Sequence, residues 1–368
     1  MSYDVIVIGA GVIGLGIGWR TQQLGLRTLI LDRAEGPSGA SRVAAGMLAP
    51  VTEAGFGEEQ LLRLNLESAR RYPAFLEELE EASGRRIEPV SAGTVFVALN
   101  HDQSEVADRL YEYQRSLGLE VERLDAASAR SDEPMLTPST QRALLARSDR
   151  EIDPRELVAG LMTAFTRAGG ELRLEAEVSS IENGPSVVLA GGENITGGQI
   201  VVAAGCWSGK IAGVPKEVTR AVRPVKGQLV RLVTSSDLPI LRHVIRTEDC
   251  YVVPRRNGEV VVGATVEEKG FDTTVTAEGV YQLLRAGIEV LPSLREASIG
   301  ELLCGLRPGS RDNSPLLGMT SVENVVAATG HYRNGILLTP ITADSISTLL
   351  AKGDSPEEIS AFDPRRFS

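Results

Sequence analysis

The chain has 368 residues, 42% of them hydrophobic, and a formal charge of −11 at pH 7. That length suits two domains better than one core. The acidic balance argues against nucleic acid or an anionic membrane surface as a partner, because both would repel it.

In chain order, residues 4–8 are a short Val- and Ile-rich run suited to a buried parallel strand. Residues 11–24 read as a helix closed by Gly25, and residues 28–31 as the next strand, together one right-handed βαβ unit. The apolar stretch 5–17 imitates a signal-peptide core. It lacks a basic leader, starts after Asp4 and carries glycines at a meaningful spacing, so it reads as structure. No run of eighteen uninterrupted apolar residues follows, so no membrane span is expected.

Residues 58–83 read as a long surface helix whose charges face solvent, 93–98 as a strand and 101–117 as a second polar helix. Residues 154–167 read as a helix leading into a strand over 171–178, and 199–204 as an apolar strand closed by Gly205. From 221 the pattern changes. Residues 222–232, 243–246, 251–255 and 259–265 read as strands without intervening helices, with a turn at Arg256-Asn257-Gly258, which indicates an antiparallel sheet. A helix over 277–290, a strand over 297–306, a buried strand over 324–328 and a helix near 341–351 complete the chain.

The expected class is therefore α/β, with a Rossmann-like dinucleotide-binding domain interleaved with an α+β substrate domain built on an antiparallel sheet. The first would take residues 1–85, 140–220 and 315–368, the second 86–139 and 221–314. Cys206, Cys250 and Cys304 are dispersed and odd in number, and His101, His243 and His331 are scattered. Neither a disulfide framework nor a metal site is indicated, and a reducing, cytoplasmic setting fits.

Gly9-Ala10-Gly11-Val12-Ile13-Gly14 is a GxGxxG between strand and helix. Gly9 makes the tight turn, Gly11 admits a pyrophosphate to the backbone and Gly14 lets the helix pack on the strand. The helix N-terminus offers free N–H groups and a partial positive charge. Asp32 ends the second strand 18 positions after Gly14, where a carboxylate can hold ribose hydroxyls and repel a 2′-phosphate. Arg33 beside it reads more as a solvated loop charge. This motif alone leaves NAD and FAD open.

The loop Gly39-Ala40-Ser41-Arg42-Val43-Ala44-Ala45-Gly46-Met47-Leu48-Ala49-Pro50 resembles the flavin-contacting loop of the D-amino acid oxidase superfamily, in particular its glycine oxidases. Val201 to Ser208 resembles that family's second FAD-domain strand and turn. Gly305-Leu306-Arg307-Pro308-Gly309 and the segment Gly330 to Leu338 resemble glycine oxidase signatures, and Tyr251 to Arg255 with Val262 to Thr265 resembles its substrate-domain strands. The likeness spans nearly the whole chain.

Carried over residue by residue, the resemblance implies non-covalent FAD contacted by Val12, Ile13, Asp32, Arg33, Ala40, Ser41, Ala45, Gly46, Met47 and Val178. Gly205 and the run Tyr332, Arg333, Asn334, Gly335, Ile336, Leu337 and Leu338 would complete that site. It implies Tyr251, Arg307 and Arg333 at the substrate, with Arg307 as carboxylate anchor. Hydride would pass from a small amino acid or amine to flavin N5, followed by reoxidation with O2, for thiamine thiazole synthesis.

The resemblance further implies a homo-oligomer such as a tetramer. Cys304, where some relatives attach FAD covalently, reads instead as a buried free cysteine. Asp249 and Val266 depart from the residue types expected beside the pocket, which leaves glycine, sarcosine and small D-amino acids open. The rival readings are a D-amino acid dehydrogenase using another acceptor and a catalytically silent FAD-binding subunit.

Overall fold

The computed structural model describes residues 3–36, 38–182, 184–234, 241–256 and 258–368, so Asn257 of the expected turn lies outside the described residues. Among the described residues, two eight-stranded sheets organise the chain. In the first, the strands Val325–Thr329, Asn194–Val202, Tyr3–Ile8, Thr28–Leu31 and Glu171–Arg173 run parallel. Leu316–Met319 adds antiparallel at one end. Tyr3–Ile8 is buried except at Asp4, as a strand covered on both faces must be. One face carries the helices Val12–Gln23, Glu59–Ser83, Pro154–Arg167 and Thr339–Lys352 over a core that includes Trp19, Phe75 and Phe165.

The expected strand over 171–178 breaks after Arg173. Glu175 takes a left-handed φ of 54°. Its N–H bonds the Ala34 carbonyl, and that of Ala176 bonds the Asp32 carbonyl. The chain thereby crosses beside the end of Thr28–Leu31 before Val178–Glu182 begins a hairpin with Ser186–Leu189.

The second sheet runs in the order Ser298–Gly309, Arg223–Val233, Glu259–Gly263, Tyr251–Pro254, Val244–Arg246, Thr94–Ala98, Arg142–Ala146 and Glu122–Asp125. It is antiparallel except where Val244–Arg246 meets Thr94–Ala98 in parallel, because the chain between them passes through the first sheet. Arg142–Ala146, expected with the dinucleotide-binding segments, pairs here between Thr94–Ala98 and Glu122–Asp125. Among the described residues, no helix is long and apolar enough to cross a membrane.

The long helix is more than a solvated face. Leu61, Leu64, Tyr72, Phe75 and Leu79 are buried along it, the amphipathic spacing of a helix packed on a core. Its N-cap residue Glu58 accepts from Arg333, so that charge is engaged.

Candidate active site

A cavity of about 1270 Å³ lies between the two sheets and is lined from both. Pockets for single small ligands run to roughly 1,000 Å³, so this one has room for an extended dinucleotide and a small substrate. Of the site residues expected from sequence, all line it except Gly14 and Leu338. Those two sit behind the wall. A Cβ on Gly14 would lie 1.9 Å from the Gly9 carbonyl oxygen, so the residue permits helix and turn to touch. Leu338 is fully buried.

At one end, Gly9, Gly11, Val12 and Ile13 carry the chain from strand into helix. Gly11 is the N-cap, without a side-chain cap and with no acidic residue in the first turn. That leaves an unneutralised helix N-terminus for phosphate. Ser41 reaches across so that its Oγ accepts from the Val12 N–H at 3.2 Å. The Asp32 carboxylate accepts from Ala10 N–H at 2.7 Å and Ala34 N–H at 2.9 Å, which fixes its rotamer at the cavity edge. Arg33, read as a solvated charge, stacks instead over the Trp207 ring with its guanidinium carbon 4.1 Å from the centroid.

Ala40, Ala45, Gly46 and Met47 also line the cavity, as do Gly205 and the turn after Gly330. That turn is tied from outside. Tyr72 donates to the Ile336 carbonyl and Ser68 to the Leu337 carbonyl, each at 2.6 Å, and Thr339 donates to the Gly335 carbonyl at 2.9 Å. The N–H groups of Gly335, Ile336 and Leu337 donate to no protein acceptor among the described residues. Buried N–H groups are seldom left unpaired, so this row, together with a helix N-terminus that no acidic side chain neutralises, fits an elongated anionic cofactor with a polar ring edge. The helix starts at Thr339, slightly earlier than expected, and the donors come from the turn before it.

At the far end, the Arg307 guanidinium lies over Gly227, where a Cβ would fall 2.3 Å from Nη1, and donates to the Thr265 carbonyl at 3.1 Å. The Tyr251 ring covers Gly263 in the same way, at 2.5 Å. Burial raises the Tyr251 phenol pKa against an opposing pull from neighbouring Arg307, so the hydroxyl stays a donor at neutral pH. The structure thus brings Tyr251 and Arg307 together. Arg333 lines the same space but is engaged, with Nε 3.1 Å from Glu53 and Nη2 3.3 Å from Glu58.

Sequence reasoning missed Glu53 and Arg246. Glu53 is largely buried and forms ion pairs with Arg246, at 2.7 Å, and with Arg333. Arg246 also donates to the Thr52 carbonyl at 2.7 Å. Glu53 stands three positions after the quoted loop and was findable, whereas a pairing of residues so distant in sequence leaves no local trace. His331 is buried, its Nε2 is 3.1 Å from the Thr342 hydroxyl, and burial pulls its pKa down to about 3, so it stays neutral. Cys304 is only half-buried, not fully buried as expected, and sits outside the cavity lining although Gly305 to Pro308 belong to it.

A family profile described as FAD dependent oxidoreductase (DAO) matches residues 4–349. The glycine oxidase of Geobacillus kaustophilus is 31% identical over 98% of this chain and 96% of its own. The bifunctional protein ThiO/ThiG of Trichormus variabilis is 30% identical over 100% of this chain and 55% of its own length. The crystal structure of the Geobacillus kaustophilus glycine oxidase superposes with a TM-score of 0.91 at 30% identity, covering 98% of both chains. The chain belongs to the DAO family of FAD-dependent oxidoreductases, with glycine oxidases among its relatives.

Proposed function

We propose that the protein oxidises glycine, or a similarly small amine or amino acid such as sarcosine or D-alanine, to the imine with O2 as final acceptor and hydrogen peroxide as co-product. The observation that carries this reading is the Arg307–Tyr251 pair over its two-glycine floor, in one cavity with the GxGxxG turn. The names of the glycine oxidase and ThiO/ThiG relatives support it and suggest thiamine thiazole synthesis as its setting.

In this reading the first sheet's segments hold FAD and the second sheet's segments hold the substrate. Asp32 takes the ribose, the turn at Gly9–Gly14 the pyrophosphate, and Ala45–Met47 with Gly335–Leu337 flank the ring. When bound, FAD supplies the two-electron acceptor for the α-hydrogen. Arg307 grips both carboxylate oxygens and Tyr251 donates one further bond, which fixes the α-carbon. The amine gives up its proton to solvent water as it binds, a transfer that requires no protein base. His331 stays neutral and is engaged with Thr342. Arg333, held by Glu53 and Glu58, stands at the wall where an incoming carboxylate first meets positive charge.

A coupled peroxide assay with glycine, sarcosine and D-alanine tests this. Turnover with peroxide supports the oxidase. Turnover seen only with an artificial dye would favour a dehydrogenase, and none with any amine a silent subunit.

A further inference from the structure

The loop carrying Ala45, Gly46 and Met47 into the cavity is held from behind by a charge that no step above uses. Arg255 follows the strand Tyr251–Pro254, is 4% exposed, and donates from Nη2 to the Ala45 carbonyl. Nη1 donates to the Pro254 carbonyl at 3.3 Å, while Nε has no hydrogen-bond partner among the described residues. The nearest acid is Asp153, 3.7 Å from Nε. Asp153 also caps the helix Pro154–Arg167 through the Arg155 N–H and lies 3.5 Å from Arg231. Burial pulls the Arg255 pKa down, and Asp153 and Glu151 oppose that pull. A buried guanidinium with one unmet donor is costly, and its contact with the Ala45 carbonyl directs it at the cavity wall.

The peptide between Ala45 and Gly46 transmits that charge. Gly46 has a left-handed φ of 77°, and a Cβ there would lie 2.0 Å from the Ile152 carbonyl oxygen. The Ile152 N–H returns a bond to the Gly46 carbonyl at 3.0 Å. The peptide cannot turn. Gly46 lines the cavity, and its N–H donates to no protein acceptor among the described residues. Hydrogen bonds in series polarise one another, so a cation on the carbonyl strengthens the N–H on the other side.

We propose that Arg255 is a positioning residue that acts through the Ala45–Gly46 peptide to raise the reduction potential of bound FAD. Hydride transfer moves two electrons and one proton from substrate carbon to flavin and leaves one negative charge on the ring, which a strengthened donor stabilises. The inference rests on the placement of FAD along this loop given above.

The test uses purified holoenzyme and sulfite, which adds to oxidised flavin to form an anionic adduct and bleaches its visible band. Arg255→Gln keeps a donor toward Ala45 but removes the charge. Its sulfite Kd rises about tenfold and its potential falls by ~30 mV for a two-electron couple. Arg255→Lys keeps the charge and stays closer to the parent. Asp153→Asn retains a capping oxygen, removes the counter-charge and tightens sulfite, a direction that mere loosening of the loop would not produce. An Arg255→Gln protein with full FAD content and unchanged sulfite affinity and potential overturns the proposal. Should that variant lose FAD, Asp153→Asn decides alone, and unchanged or weaker sulfite binding overturns it. Sulfite needs no amine, so inactivity toward glycine leaves this test intact.

Discussion

Arg307 and Tyr251 differ in what their removal leaves behind. Without Arg307, a substrate carboxylate keeps the Tyr251 hydroxyl but loses its bidentate cationic partner, because Arg333 in the same cavity is engaged with Glu53 and Glu58. A charge-assisted pair of this kind contributes about 3 kcal/mol, so Arg307→Ala should lower kcat/KM by roughly 100-fold. Tyr251→Phe removes one bond, about 1 kcal/mol, and should cost roughly fivefold. Steady-state kinetics check both, and near-normal apparent affinity in Arg307→Ala would remove the anchoring role.

His331 carries a pH signature. Its folded pKa of about 3 lies below the ordinary 6.5, so the unfolded chain binds the extra proton. Its contribution is complete above pH 6.5 and is lost as pH falls toward 3, amounting to about 2 kcal/mol by pH 5. Thermal melts of the parent and His331→Gln between pH 5 and 8 should converge on acidification, and parallel curves would contradict this. Asp149, pushed up to about 6 by burial, acts with the opposite sign but equally in both proteins.

Among the elements, the turn before Thr339–Lys352 depends on the helix Glu59–Ser83 outside it. Tyr72→Phe deletes the bond to the Ile336 carbonyl, frees the turn to reorient its N–H row and costs about 1 kcal/mol. FAD should then dissociate several-fold more readily, measured by flavin fluorescence on dilution, with the helix itself intact by circular dichroism. The helix was legible from its periodicity. Its role was not, because Ser68 and Tyr72 act on a segment more than 260 positions away. The βαβ unit was legible because its glycines have steric tasks that nothing else performs. Glu122–Asp125 and Arg142–Ala146 were not, since the former is a short charged edge and the latter is recognised only through its partners.

At the scale of the whole molecule, the cavity runs between two sheets that each have their own core. A ligand spanning it should stabilise both together, by about 2.7 kcal/mol at a hundredfold excess over Kd. Adding FAD to protein stripped of flavin should therefore raise a single melting transition. The placement of Cys304's strand neighbours along the wall, and of Cys304 itself outside the lining, predicts that acid precipitation leaves a colourless pellet and yellow supernatant. Arg307 and Tyr251 stand out in the sequence only through family resemblance, because an arginine before Pro-Gly and a tyrosine opening a strand are commonplace. The Glu53–Arg246 pair and Arg255 were invisible because burial and long-range pairing decide their roles.

In the proposed reaction, electrons pass from a small amino acid to FAD in this cavity. Oxygen-free holoenzyme mixed with glycine, followed at the flavin's visible maximum, tests it most directly. The band should bleach and return when air is admitted. A flavin that stays oxidised with glycine, sarcosine and D-alanine alike would contradict it.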